Sequence, residues 1–341
     1  MEFYYPVLRH SNSEMNALKN TWDSTKERII PIIEGKRISR KNKEKWDKTL
    51  NSSGKFLKER VGDNLFIYDF KNIFDNLKDH STELLKDGLN PIDFLFNKFV
   101  ESELKFIPCI DHDSPQWLIE SVKKQNPTTI AIRIRYHDIQ PALYTTINTY
   151  VENIIQSEFN NKSVYIIFDF KDELNEVEIK KNTKHFNNDY KKILSITSLD
   201  ESKDVDKMSF QKVSDRTELT LFNKLTNELP ELSFSDYTTR LTPEPDLKDG
   251  FNMNNSYLKI YYTTEDGYYL GKSYKYDEGE PENFQEVCEL ITNSGLYSGE
   301  KFTLADEEIY RCSQKLEEVL THQKTIEMAI NHHLQFTINE L

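Results

Sequence analysis

Glycine is scarce. Of 341 residues only 10 are glycine, and none forms a G-x-G-x-x-G turn or a P-loop, which excludes the two commonest backbone cradles for nucleotide phosphates. Cysteine is scarcer still: Cys109, Cys288 and Cys312 make no C-x-x-C pair, and so odd and sparse a set is not a disulfide framework. There is no G-x-S-x-G elbow and no cysteine beside an obvious base, which leaves nucleophilic catalysis without a signal. Cys109, inside an apolar run, reads as core. No run approaches the roughly eighteen apolar residues of a membrane span. The opening Met-Glu-Phe-Tyr-Tyr-Pro lacks the basic region and apolar core of a signal peptide, and a reducing cytoplasm is the expected compartment.

What is present is charge and aromatic mass. Hydrophobic residues make up 37% of the chain and aromatics 12%, enough to build a core, and the net charge is −13. That sign disfavours nucleic-acid or membrane binding by the surface as a whole. The charge is uneven: residues 242–341 hold 8 Lys/Arg and 19 Asp/Glu, or −11, leaving 36 and 38, or −2, for residues 1–241. The spacing therefore predicts two parts, 1–241 and an acidic extension over 242–341.

Residues 128–138, Thr-Thr-Ile-Ala-Ile-Arg-Ile-Arg-Tyr-His-Asp, carry the clearest pattern. Ile130, Ile132 and Ile134 alternate with Ala131, Arg133 and Arg135, which predicts a strand. Two arginines on one face of so apolar a strand are costly to bury unless acids meet them. Other short apolar runs end in an acid: Ile32-Ile33-Glu34, Ile67-Tyr68-Asp69, Cys109-Ile110-Asp111 and Ile167-Phe168-Asp169. The reading is that these strands are neighbours whose polar ends converge.

In chain order, strands are expected at 3–8, 28–33, 65–70, 106–110, 128–136, 163–170, 192–198 and 232–241, with helical patterns between them. Among these helices are 73–86, 91–103 opening on Pro91, 115–125, 139–159 and 215–228. Eight strands alternating with helices point to a (β/α)8, TIM-barrel-like α/β domain; a doubly wound open parallel sheet is the alternative. In the extension, residues 257–264 and 268–276 flank Glu265-Asp266-Gly267 as a hairpin, and helices are expected at 282–293, 304–320 and 322–341.

Three residue sets are candidates for function. The strand-end set Glu34, Asp69, Asp111, His112, Asp113, Arg133, Arg135 and Asp169 would lie at the barrel's C-terminal face, where this fold builds active sites. Its carboxylates, Asp69, Asp111 and Asp169 foremost, suit Mg2+ or Mn2+, and its arginines suit a phosphate. The competing reading is a buried ionic network in which Arg133 or Arg135 pairs with Asp69 or Asp169. The basic run Lys36, Arg37, Arg40, Lys41, Lys43 and Lys45 is a candidate nucleic-acid contact, but with few interleaved aromatics it reads first as a solvated face, and nucleic acid is not the expected partner. Adjacent His332 and His333 point about 100° apart on a helix, a poor metal pair, and a packed or capping role is expected.

Several short motifs together resemble the "beta protein" family of phages, phage satellites and bacterial defence loci. They are Tyr4-Tyr5-Pro6-Val7-Leu8, Glu14-Met15-Asn16-Ala17-Leu18 and Ile30-Pro31-Ile32-Ile33-Glu34 at the start, then Phe234-Ser235-Asp236-Tyr237. In the tail they are Lys259-Ile260-Tyr261-Tyr262-Thr263, Tyr297-Ser298-Gly299, Ala305-Asp306 and Asn331-His332-His333-Leu334. Ser235 and Ala305 stand where the family pattern has glycine, and the tryptophan before the His-His pair is absent. The resemblance implies a role rather than a reaction: an anti-phage component that senses a phage protein or restrains a toxin-like partner encoded nearby. No cofactor is implied. The alternative is a divalent-metal-dependent phosphodiesterase at the barrel face, with Mg2+ or Mn2+. The apolar stripe of the last helix is a candidate homo-oligomer surface.

Overall fold

In the computed structural model, described here for residues 3–36, 46–73, 88–241, 256–275 and 283–341, eight parallel strands follow one another around a single sheet. They are β1 (Val7–Arg9), β2 (Ile32–Glu34), β3 (Phe66–Asp69), β4 (Phe106–Asp111), β5 (Thr129–Arg135), β6 (Ser163–Lys171), β7 (Lys191–Ile196) and β9 (Leu232–Ser235), and their spatial order is their chain order. A doubly wound sheet would reverse its order at a switch point; this one does not. The backbone N–H groups of Tyr5 and Val7 donate to the carbonyls of Phe234 and Asp236 at 3.0 and 2.8 Å. The last strand thus returns beside the first, and the sheet is nearly closed into a TIM-like barrel.

Among the described residues the helices between the strands are α1 (Asn12–Lys19) and α2 (Asp23–Lys26), α3 (Trp46–Asn51) and α4 (Ser53–Val61), α5 (Pro91–Glu101), α6 (Gln116–Lys124), α7 (Tyr144–Glu158), α8 (Glu176–His185) and α9 (Thr217–Thr226), and the helix expected over 73–86 lies, past its first residue, outside them. Pro91 opens α5 because its missing N–H would be unpaired there anyway, and Asn90 Oδ1 caps the turn by accepting from the N–H groups of Ile92 and Asp93 at 2.9 Å. The helix expected from residue 139 begins instead at Tyr144, after a short 3-10 turn at Pro141–Leu143.

The second sheet is antiparallel, in the order β10 (Tyr257–Thr263), β11 (Gly267–Lys275), β8 (Ser209–Asp215). The hairpin is where the sequence places it. Its third strand was not foreseen, because in Ser209–Asp215 only Val213 is buried and no period of two stands out. Helices α10 (Asn283–Asn293), α11 (Leu304–Ser313) and α12 (His322–Glu340) complete this part. The helix expected over 304–320 stops at Ser313. Lys315 takes φ +60°, and Leu316 N–H turns back to the Arg311 carbonyl at 2.9 Å, a Schellman-type stop normally built on glycine.

Two compact units result, each discontinuous in sequence. One comprises Met1–Ser11, Ile29–Ile196 and Thr220–Asp236 and holds the barrel; the other comprises Asn12–Arg28, Thr197–Leu219 and Tyr237–Leu341. The second has its own core, in which Leu258, Ile260, Val287, Cys288, Ile309 and Met328 pack together. Among the described residues no helix is long and apolar enough to cross a membrane.

Candidate functional site

The barrel's polar layer starts from alternation. On β5, Ile130, Ile132 and Ile134 take one face and leave Ala131, Arg133 and Arg135 on the other. The register brings the acids alongside: Arg133 lies level with Asp111 of β4, Arg135 with Asp169 of β6, and Glu34 of β2 with Asp69 of β3, and the guanidiniums then reach across to acids other than the ones level with them. Gly35 allows the end of β2 to approach β3, since a Cβ there would stand 2.8 Å from the Asp69 carbonyl.

Six of the strand-end residues form one hydrogen-bonded network. Arg133 donates from Nε to Asp169 Oδ2 at 2.9 Å, and from Nη1 to Glu34 Oε1 and Asp69 Oδ2 at 3.0 and 2.8 Å. Arg135 donates from Nε to Asp111 Oδ2 at 3.1 Å, and from Nη2 to Asp69 Oδ2 at 2.6 Å. Arg133 and Asp169 are fully buried, and Asp69 and Asp111 nearly so. Burial alone would raise the Asp69 carboxyl, but Arg135 and then Arg133 outweigh it and hold the group below its ordinary value. His10 lies in the same unit, buried, with Nδ1 3.1 Å from the Tyr68 hydroxyl. Burial, then Lys36 and Arg60, push its pKa down to about 3.

The remaining two members, His112 and Asp113, stand just outside this network. Asp113 is half exposed and ion-paired with Lys71 Nζ at 2.8 Å. His112 is buried, with Nδ1 3.5 Å from Asp111 Oδ1. Of the basic run, Lys36 is placed, and Arg37, Arg40, Lys41, Lys43 and Lys45 lie outside the described residues. Cys109 is buried and its thiol is pushed well up by that burial, as expected of an inert core residue.

His332 and His333 sit in the second unit, and both are fully buried. His332 Nδ1 is 2.9 Å from Asp306 Oδ2 and its Nε2 2.8 Å from the Thr263 carbonyl. Its ring stacks on Tyr262 at 3.9 Å between centroids. Tyr262 donates to Asp306 Oδ1 at 2.7 Å and accepts from Ser298 N–H at 2.9 Å. Tyr297 donates to the Asp306 carbonyl at 2.7 Å, and Thr303 caps α11 by accepting from Asp306 N–H at 3.0 Å. His333 turns the other way, to the Thr263 and Thr337 hydroxyls at 2.8 and 3.3 Å. The four tail motifs therefore meet in one hydrogen-bonded cluster, buried at Tyr262, Asp306 and His332, which sequence spacing does not reveal because they lie on separate elements.

A family model described as Beta protein matches residues 4–339, essentially the whole chain. The chain belongs to the Beta protein family. The resembling segments of this Beta protein fall into both units: Tyr4 donates to Asp236 Oδ1 at 2.5 Å in the barrel, and Tyr262, Asp306 and His332 meet in the other. No curated protein matches the chain.

Proposed function

We propose that this Beta protein is an anti-phage defence component that works by binding a protein, sensing a phage product or restraining a toxic partner encoded nearby, without catalysis. One observation carries the non-catalytic part. The arginines at the barrel face where this fold builds active sites are buried and committed to carboxylates of neighbouring strands. A phosphate clamp needs guanidinium N–H groups that a substrate can reach. The defence setting rests on the family resemblance. Charge favours a basic partner: the last hundred residues carry −11, and the second unit has a groove of about 450 Å³ lined by Met208, Leu290 and two acids, Glu286 and Glu289, against one base, Lys315. Such a groove suits a cationic segment that also presents an apolar side chain.

The test is co-purification of the tagged full chain from its native host, with and without infection. A single stoichiometric partner encoded beside it, lost when Glu286 and Glu289 are both changed to Lys, is the expected result. Retention of no neighbour-encoded protein, or capture indifferent to the charge reversal, would rule the reading out. The metal-dependent phosphodiesterase is the second reading, favoured by one observation: Asp111 Oδ1 and His112 Nδ1 keep their polar atoms unpaired beside the network. Metal-stimulated hydrolysis of an activated phosphodiester, lost in Asp111→Asn, would put it first.

A further inference from the structure

We propose that Asp111, His112 and Asp113 bind one first-row divalent cation of the Mn2+-to-Zn2+ class at the carboxyl end of β4, whatever partner the protein binds. The three residues each offer one ligand atom, and these atoms all lie within 4.8 Å of one another. Asp111 and His112 are 1% and 8% exposed, and Asp111 Oδ1 and His112 Nδ1 have no hydrogen-bond partner. Burying such atoms unsatisfied is costly. Their 3.5 Å separation matches the spacing of two ligands on one tetrahedral ion, about 3.4 Å for bonds near 2.1 Å.

The surroundings hold these atoms in place. Arg135 Nε fixes the other oxygen of Asp111 at 3.1 Å, and the Asp111 N–H donates to Ser114 Oγ at 2.8 Å. The His112 N–H donates to the Arg133 carbonyl at 3.0 Å. Outer contacts of this kind orient a ligand set before the ion arrives. Formal charge also favours a cation. With the ligand Asp111 counted in, the network's four carboxylates against two guanidiniums, 2 − 4, leave −2. An imidazole with two carboxylates suits a borderline ion better than Mg2+, which prefers oxygen alone.

Lys71 makes the inference specific. Its ammonium lies 2.9 and 2.8 Å from the two oxygens of Asp113, where it competes with a metal for that ligand. Removing it should therefore tighten metal binding, a result that a merely structural turn would not give.

The experiment is titration of the untagged full chain with Co2+, followed by visible absorption and by metal analysis after dialysis. One Co2+ per chain, displaced by Zn2+, is expected. His112→Gln and Asp113→Asn should each weaken it at least tenfold with circular dichroism unchanged, and Lys71→Met should strengthen it severalfold. A Cys288→Ser, Cys312→Ser double variant should bind as the natural chain does. No Co2+ uptake, uptake unaltered in both ligand variants, unchanged affinity in Lys71→Met, or loss of the ion with the two thiols would each overturn the proposal.

Discussion

The two buried polar clusters of this Beta protein are built on opposite terms. In the second unit, every polar atom of the Tyr262–Asp306–His332 set has a partner, down to the Tyr262 hydroxyl that both donates and accepts. In the barrel, Arg133 and Arg135 are surrounded by more carboxylates than they can neutralise, and Asp111 and His112 keep atoms unpaired. A complete cluster fixes the packing of the elements it joins, and nothing further can be added to it. An incomplete one keeps capacity for something that arrives later. His332 and His333 of this chain are thus held by hydrogen bonds within their own unit, whereas Asp111 Oδ1 and His112 Nδ1 have no hydrogen-bond partner.

The contrast can be broken most forcefully at Arg133. Arg133→Met takes the close cation from buried Asp169 and leaves Asp69 and Glu34 to Arg135 alone, and should cost about 3–5 kcal/mol, read as a lower urea midpoint with hydrogen exchange rising in β4–β6 before α12. Equal exchange in both units would end the distinction.

Acid is the next lever. Free His10 takes up its proton near pH 6.5, whereas the buried ring resists until about 3. Its folded pKa is lowered, so its contribution is full above about 6.5 and is lost progressively as pH falls towards about 3. The Asp69 carboxyl is also held low, and adds its own loss only below its ordinary 3.8. Unfolding midpoints measured across this range should fall with acidification, and His10→Phe should flatten the upper part of the fall while leaving the part due to Asp69.

The second unit should respond in smaller steps. Asp306→Asn keeps the shape but removes the charge that His332, Tyr262 and Thr303 address, at a cost of about 1.5–3 kcal/mol. Tyr262→Phe deletes one hydroxyl and should cost about 1 kcal/mol. If these variants matched Arg133→Met in effect, the closed cluster would be as heavily stressed as the open one, and the contrast would fail.

Much of the barrel was legible because its strands are β-branched and end in acids: Glu34, Asp69, Asp111 and Asp169 mark the top of their strands in the sequence itself. Two arginines on one face of β5 announced the need for those acids. What stayed hidden depends on distance along the chain. Asp306 is 44 residues from Tyr262 and 26 from His332, so no local period links them. The end of α11 was hidden for a different reason, since a lysine does at position 315 what glycine usually signals. Strand β8 was masked by its polar composition, because it is supported by its partner β11 rather than by a buried face.

The barrel's seam has a consequence for synthesis. The chain that closes it runs from Tyr4 to Asp236, partners 232 residues apart. At ribosomal speed that interval takes roughly 10–50 s. Throughout it β1 has no neighbour on its outer side, and β7, made only late in that interval, then waits for β9. Both edges are blunted: β1 is only Val7–Arg9, and β7 opens on Lys191 and Lys192. A nascent chain halted before Leu232 is therefore an open sheet with two guarded margins, and translation past that point is what joins them through β9.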